Sequence, residues 1–142
     1  MKSSPSASYE KIQNPQTPVL GIGIDLVEVE RIEGLLKRFG EHFLKKIFSQ
    51  EELRDSFRHR NPHPSLAARF AAKEATAKAL GIGIGSGFSW SSAVVGLGAG
   101  GKPEIRLDAL GQGRARSLGV RHIELSLTHT RALAQAVVIL SR

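Results

Sequence analysis

Between residues 20 and 26, large apolar side chains alternate strictly with glycine and aspartate: Leu20-Gly21-Ile22-Gly23-Ile24-Asp25-Leu26. A period of two is the mark of a strand. The pattern predicts that Leu20, Ile22, Ile24 and Leu26 face a core while Gly21, Gly23 and Asp25 share the other face. Two glycines on one face let another group come close to the backbone. A carboxylate at the end of that bare face is the first chemical signal. Asp25 followed by Glu28 also has a simpler reading, as N-cap and N3 of a helix starting there. The glycine-bare face is what that reading leaves unexplained.

The rest of the chain supplies helices around such a strand. Residues 1–18 are rich in Ser, Pro, Gln and Asn and read as a disordered tail, leaving 19–142 as one domain. After the first strand, Ile32, Leu36, Phe39 and Phe43 form one helical stripe, with Arg31, Arg38 and Lys45 beside it. Gly34 and Gly40 weaken this helix, and Gly40 is a candidate end. Ser49 and Glu52 form a capping box for a second helix, with Phe48 and Leu53 as its staple. Residues 58–64 form a polar loop with two prolines. Residues 65–80 give the clearest helix, capped by Ser65, full of alanine and stopped by Gly81. Strands at 90–97 and 104–107 flank a turn, Asp108 caps a helix to about 118, and strands at 123–127 and 134–140 flank a polar turn. The order predicts an α+β fold with an antiparallel sheet wrapped by helices.

Composition narrows the function. The chain has 142 residues, enough for one self-sufficient core, and 41% hydrophobic against 23% charged residues, which excludes a wholly disordered chain. It has no cysteine, which excludes disulfides, thiol nucleophiles and cysteine-held metal and fits a reducing compartment. No apolar run is long enough to span a bilayer. The net charge of +7 seeks an anionic partner, but the excess is spread over the chain. Few aromatic residues and no recognisable motif argue against nucleic acid.

Several motifs fail on inspection. The run from Gly81 to Gly87 lacks GxGxxG and GK[ST] and follows a helix, so it reads as a hinge or close-contact loop rather than a phosphate loop. Pro62 separates His59 from His63, so a zinc pair is not expected. Ser126-Leu127-Thr128-His129 is not a nucleophile elbow. Glu74 and Lys78 have the spacing of a surface ion pair. The small residues around them nevertheless make their helix central, and a central carboxylate needs a partner. Two carboxylates from different elements suit a hard cation such as Mg²⁺.

Four segments then become specific together: Gly21-Ile-Gly-Ile-Asp25-Leu-Val-Glu28-Val-Glu-Arg31-Ile32, Arg69-Phe-Ala-Ala-Lys73-Glu74-Ala75-Thr-Ala-Lys78-Ala-Leu-Gly81, Gly101-Lys-Pro103 and Ser126-Leu-Thr-His129-Thr130. In this order they closely resemble the holo-acyl-carrier-protein synthases, the small bacterial 4′-phosphopantetheinyl transferases, over about residues 19–140. The resemblance implies transfer of the phosphopantetheine arm of coenzyme A to a serine of apo acyl carrier protein, in support of fatty acid biosynthesis. It implies a cytoplasmic homotrimer with sites at the subunit clefts. Asp25 and Glu74 match the family's Mg²⁺ ligands, and Lys78 a residue near the reacting phosphate. Arg31 matches the carrier-docking position, with Arg38 and Lys37 near further ones. Arg69, Lys73, His129 and Thr130 match positions lining the coenzyme A site. Glu74 is the first choice for the base that takes the serine proton. A nucleic-acid module and a metal-free coenzyme A thioesterase or acyltransferase remain as alternatives. No nucleic acid and no membrane are expected as partners.

Overall fold

The structure is a computed structural model that describes residues 7–12 and 16–142. The expectation of a disordered tail falls in part on residues 1–6 and 13–15, outside the described residues. The first strand, β1 (Val19–Glu28), leads into α1 (Val29–Phe39), α2 (Glu41–Ile47), α3 (Gln50–Phe57) and the long α4 (His63–Leu80). A 3₁₀ turn (Trp90–Ser92) precedes the hairpin of β2 (Ala93–Leu97) and β3 (Pro103–Leu107). Helix α5 (Ala109–Leu118) and the strands β4 (His122–His129) and β5 (Leu133–Ser141) complete the chain. The fold is α+β, with a three-stranded antiparallel sheet in the order β1-β5-β4 and a separate antiparallel β2-β3 ribbon.

Helix α4 lies across the sheet, and alanine explains how. Ala67, Ala68, Ala71, Ala72 and Ala75 are all buried, so the helix backbone reaches its neighbours without long side chains between them. The glycines of β1 complete that contact. A Cβ on Gly23 would overlap the carbonyl oxygen of Ala75, and one on Gly21 would overlap that of Ala79. The bare face of β1 therefore receives α4. This reverses the expected sidedness of the strand: Ile22, Ile24 and Leu26 are 64%, 52% and 59% exposed, while Val27 is buried. Period two separates two faces but does not say which is covered. Here the close approach of α4 selects the glycines.

Other expectations shift for local reasons. Asp25 is no helix cap, because β1 keeps pairing with β5 as far as Glu28↔Leu133 and α1 starts only afterwards. Gly40, at φ 58°, divides the expected long helix into α1 and α2, and Phe39 is left 48% exposed instead of joining the core stripe. The break also parts Lys45 from Arg31 and Arg38; Lys45 pairs with Glu41 at 3.6 Å. Ser65 does not cap α4: the helix opens two residues earlier, at His63, with Pro64 in its first turn. Ser65 is buried, and its hydroxyl bonds that of Ser56 at 3.1 Å. Residues 90–92 form the 3₁₀ turn rather than strand. The Ser49–Glu52 capping box, the left-handed Gly81 stop and the Asp108 cap are all present.

Candidate active site

From residue 65 to residue 80, only Glu74 and Lys78 escape burial. They lie one turn apart on α4 and open beside Asp25 of β1. The Lys78 ammonium donates to Asp25 Oδ1 and to the carbonyl of Ile24, each at 3.0 Å. Lys78 therefore crosses to the strand instead of pairing along its own helix with Glu74. Burial raises the proton affinity of Glu74, and the Asp25 charge raises it further; Lys78 and Arg31 oppose both. Four groups from three elements thus share one field: two carboxylates, an ammonium and the Arg31 guanidinium. Arg31 lies over the ring of Phe70 at 5.3 Å, and Arg38 lies over Phe39 at 5.0 Å.

Arg69 and His129 meet elsewhere. Arg69 is five residues before Glu74, which turns it roughly 140° around α4. It lines a cavity of about 430 Å³ with Arg58, His59, Pro103, Leu127 and His129. The Arg69 guanidinium is nearly buried and donates to Ser65, and one nitrogen lies 4.0 Å from Asp55. Its Nε is buried without a hydrogen-bond partner. Burial lowers its proton affinity, although Asp55, Glu52 and Glu51 oppose the shift. Asp55 also lines this cavity, so two arginines stand against one carboxylate; with two histidines and an unsatisfied buried donor the balance still suits an anion. Sequence reasoning weighed His59 only as a zinc ligand and passed over Arg58. The polar loop containing both was the available signal.

Two expected site residues stand differently. Lys73 has no exposed surface, so it does not line the site as expected. Its ammonium is 2.9 Å from Glu52 Oε1 and also donates to the carbonyls of Trp90 and Ala93. Glu52 in turn accepts from the backbone N–H groups of Ser49 and Val95. The run Arg-Phe-Ala-Ala-Lys-Glu does not reveal that both of its cations are buried until the packing of α3 and β2 is known. Thr130 is exposed, and its hydroxyl accepts from the N–H groups of Ala132 and Leu133, closing the turn between β4 and β5. This fixes the strand end that carries His129.

Among the described residues no group of three or more His, Cys, Asp or Glu side chains is arranged to hold a metal ion. Burial first, and the charge of Asp25 second, raise the proton affinity of Glu74, so the two carboxylates feel each other. Lys78 already supplies one positive charge to that pair. The donor set fits a hard cation that takes two protein carboxylates and completes its shell from substrate and solvent.

Comparison with known proteins gives the family of the chain. Residues 21–138 match the model of the 4′-phosphopantetheinyl transferase superfamily. The holo-[acyl-carrier-protein] synthase of Solibacter usitatus is 43% identical over 122 residues, covering 86% of this chain and 98% of that protein. That of Vibrio parahaemolyticus is 42% identical, covering 86% and 97%. Among solved structures, the Neisseria meningitidis holo-[acyl-carrier-protein] synthase superposes with a TM-score of 0.79 at 35% identity, covering 87% and 99%. The Helicobacter pylori enzyme, solved in complex with coenzyme A, gives 0.74 at 32%, covering 84% and 99%. The chain belongs to the 4′-phosphopantetheinyl transferase superfamily, and within it to the enzymes of the holo-[acyl-carrier-protein] synthase family.

Proposed function

We propose that this enzyme transfers the 4′-phosphopantetheine arm of coenzyme A to a serine hydroxyl of apo acyl carrier protein, with Mg²⁺ as cofactor. The serine oxygen bonds to the phosphorus that bears the pantetheine. The bond from that phosphorus to the bridging oxygen breaks, and adenosine 3′,5′-bisphosphate leaves with the electron pair. Glu74 accepts the serine proton, a task suited to a carboxylate whose proton affinity burial has raised. Lys78 brings positive charge to the diphosphate. Asp25 holds Lys78 in place from the strand side. Asp25 and Glu74 would also hold the Mg²⁺, which when bound would supply positive charge to the phosphates. Arg69 and His129 would receive the nucleotide end of coenzyme A in their anion-suited cavity, with Arg58 and His59. Arg31 and Arg38 would meet the acidic carrier.

The observation that carries this reading is the Asp25–Glu74–Lys78 cluster, which leaves the two carboxylates beside one ammonium at the only opening in α4 between residues 65 and 80. The decisive experiment is mass spectrometry of apo carrier protein incubated with this enzyme, coenzyme A and Mg²⁺. The carrier should gain the phosphopantetheine mass, and EDTA should abolish the gain. A metal-independent hydrolysis of acyl-coenzyme A would instead favour a thioesterase.

The reading extends to a homotrimer with sites shared between subunits. Two features support it. The exposed Ile22, Ile24 and Leu26 present an apolar sheet face of the kind that marks an interaction surface. The carboxylate cluster and the Arg69 cavity sit on different sides of α4, so a neighbouring copy is a natural way to join them. The cytoplasm and fatty acid biosynthesis complete the proposal. A chain without cysteine suits that compartment, and no described helix is long and apolar enough to cross a membrane.

A further inference from the structure

Arg31 is an exposed residue on a surface helix, and a free arginine there would sample many rotamers at an entropic cost to any partner it meets. Its guanidinium nevertheless has a defined seat, the face of Phe70 at 5.3 Å. Phe70 is almost fully buried on α4 and is backed by the one tryptophan of the chain: the Phe70 and Trp90 ring centroids are 4.6 Å apart with planes inclined at 33°. Trp90 is itself fastened. Its carbonyl accepts from the Lys73 ammonium at 2.9 Å, the same ammonium that is ion-paired with buried Glu52. Trp90, Phe70 and Arg31 line one cavity of about 340 Å³ with Leu35 and Phe39. The chain of contact therefore runs from the core outward: Glu52 to Lys73, Lys73 to the backbone of Trp90, Trp90 to the ring of Phe70, and Phe70 to the charge of Arg31.

We propose that Trp90 is a positioning residue: by stacking on Phe70 it sets the ring on which the Arg31 guanidinium rests, and so fixes where Arg31 presents its charge to an acidic partner. The mechanism needs no contact between Trp90 and the partner. Removing the indole leaves Phe70 without its backing ring, and the seat of Arg31 loosens. In its effect on catalysis the inference rests on the carrier-docking reading given above; in its effect on Arg31 it does not.

The test has two arms. In the first, the side-chain Nε–Hε resonance of Arg31 is followed by NMR. Seated over Phe70, it should be displaced by the ring current in the parent enzyme and in Trp90→Phe, which keeps an aromatic backing. In Trp90→Ala it should move towards the position of an unseated arginine. An unchanged Arg31 resonance in a folded Trp90→Ala variant overturns the proposal, whatever the enzyme does. In the second arm, steady-state kinetics are measured with apo carrier protein and coenzyme A varied separately. Trp90→Ala should raise the KM for carrier about two- to five-fold, the range expected for loss of one exposed cation–π seat. The KM for coenzyme A should stay put, and Trp90→Phe should restore the carrier KM. In an Arg31→Ala background, Trp90→Ala should add nothing. Equal effects of Trp90→Ala with and without Arg31 would overturn the proposal, as would an effect confined to coenzyme A. A parent enzyme that transfers nothing counts against the transferase reading alone, since the resonance still decides the seat of Arg31.

Discussion

Lys78 reaches across from α4 to β1 and binds Asp25 Oδ1 at 3.0 Å, so the helix and the strand of the site are joined by one ammonium. Lys78→Met should therefore lower kcat by about a hundred-fold or more, the scale of losing one charge-stabilising donor in an active site. Asp25→Asn should do at least as much. Both variants should keep the circular dichroism of the parent. A Lys78→Met enzyme with full kcat would detach this pair from the chemistry.

The pH dependence follows from the surroundings of Glu74. Burial and then Asp25 raise its proton affinity, whereas Lys78 and Arg31 lower it. Without metal, the Glu74 carboxyl should therefore titrate above the ordinary carboxylate range, and bound Mg²⁺ should draw it down. Asp25→Asn should move the metal-free titration to lower pH and Lys78→Met to higher pH, as followed by carboxyl NMR in EDTA. Stability has the opposite sense to an ion-paired acid. A carboxyl held more tightly protonated in the native state loses stability as pH rises from its unfolded value of 4.5 through its native value. Glu74→Gln should thus gain on the parent as pH rises through that window in urea unfolding.

The buried Lys73–Glu52 pair should behave as structure rather than as a ligand contact. Lys73→Met leaves an unpaired buried carboxylate and should cost about 3–5 kcal/mol. Adding Glu52→Gln should recover part of that loss by removing the buried charge, although the amide oxygen can accept from only one of the Ser49 and Val95 N–H groups. Below its melting temperature, Lys73→Met should bind coenzyme A with the parent's KM.

Two glycines separate packing from propensity. Gly23→Ala drives a methyl into the Ala75 carbonyl of α4 and should cost ~3 kcal/mol or more. Gly34 sits inside α1, and a methyl placed there would meet no atom within 4 Å. Gly34→Ala should instead stabilise by about 0.5–1 kcal/mol. Thermal unfolding of both reads the contrast.

The outward apolar face of β1 should govern assembly. In the proposed homotrimer, Ile24→Glu should shift light scattering towards monomer and reduce activity in parallel. A fully active Ile24→Glu monomer would show that the site needs no second copy.

Local signals carried far in this chain. The capping box at Ser49, the Asp108 cap and the Gly81 stop each depend on a few neighbouring residues, and each stands where the pattern puts it. Asp25, Glu74, Lys78 and Arg31 do converge, because strand and helix periodicity fixed which side chains travel together. Some failures are local, such as the cap expected at Ser65 and the strand expected at residues 90–92; those that matter for the site concern what lies across a gap. Alternation in β1 could not say that α4 would take the glycine side. The run Arg69-Phe70-Ala71-Ala72-Lys73-Glu74 could not say that Lys73 turns towards Glu52, an acid 21 residues earlier, while Glu74 turns towards Asp25. Those choices are made by tertiary packing, which has no period in the sequence.

The central strand of the sheet is β5, the last strand in chain order, and the residue it places opposite Glu28 is Leu133. During synthesis β1 is thus made well before the strand it pairs with. Until β5 arrives, α4 has only part of the surface it must cover, and its alanine-lined faces stay open to solvent and to other chains. Pairing across so long a span makes folding slow compared with a helical bundle of this size. The nascent chain is consequently exposed to aggregation until β5 emerges, and mutations that weaken the β1–β5 ladder should reveal themselves first as lost yield in the cell rather than as altered kinetics of the enzyme that survives.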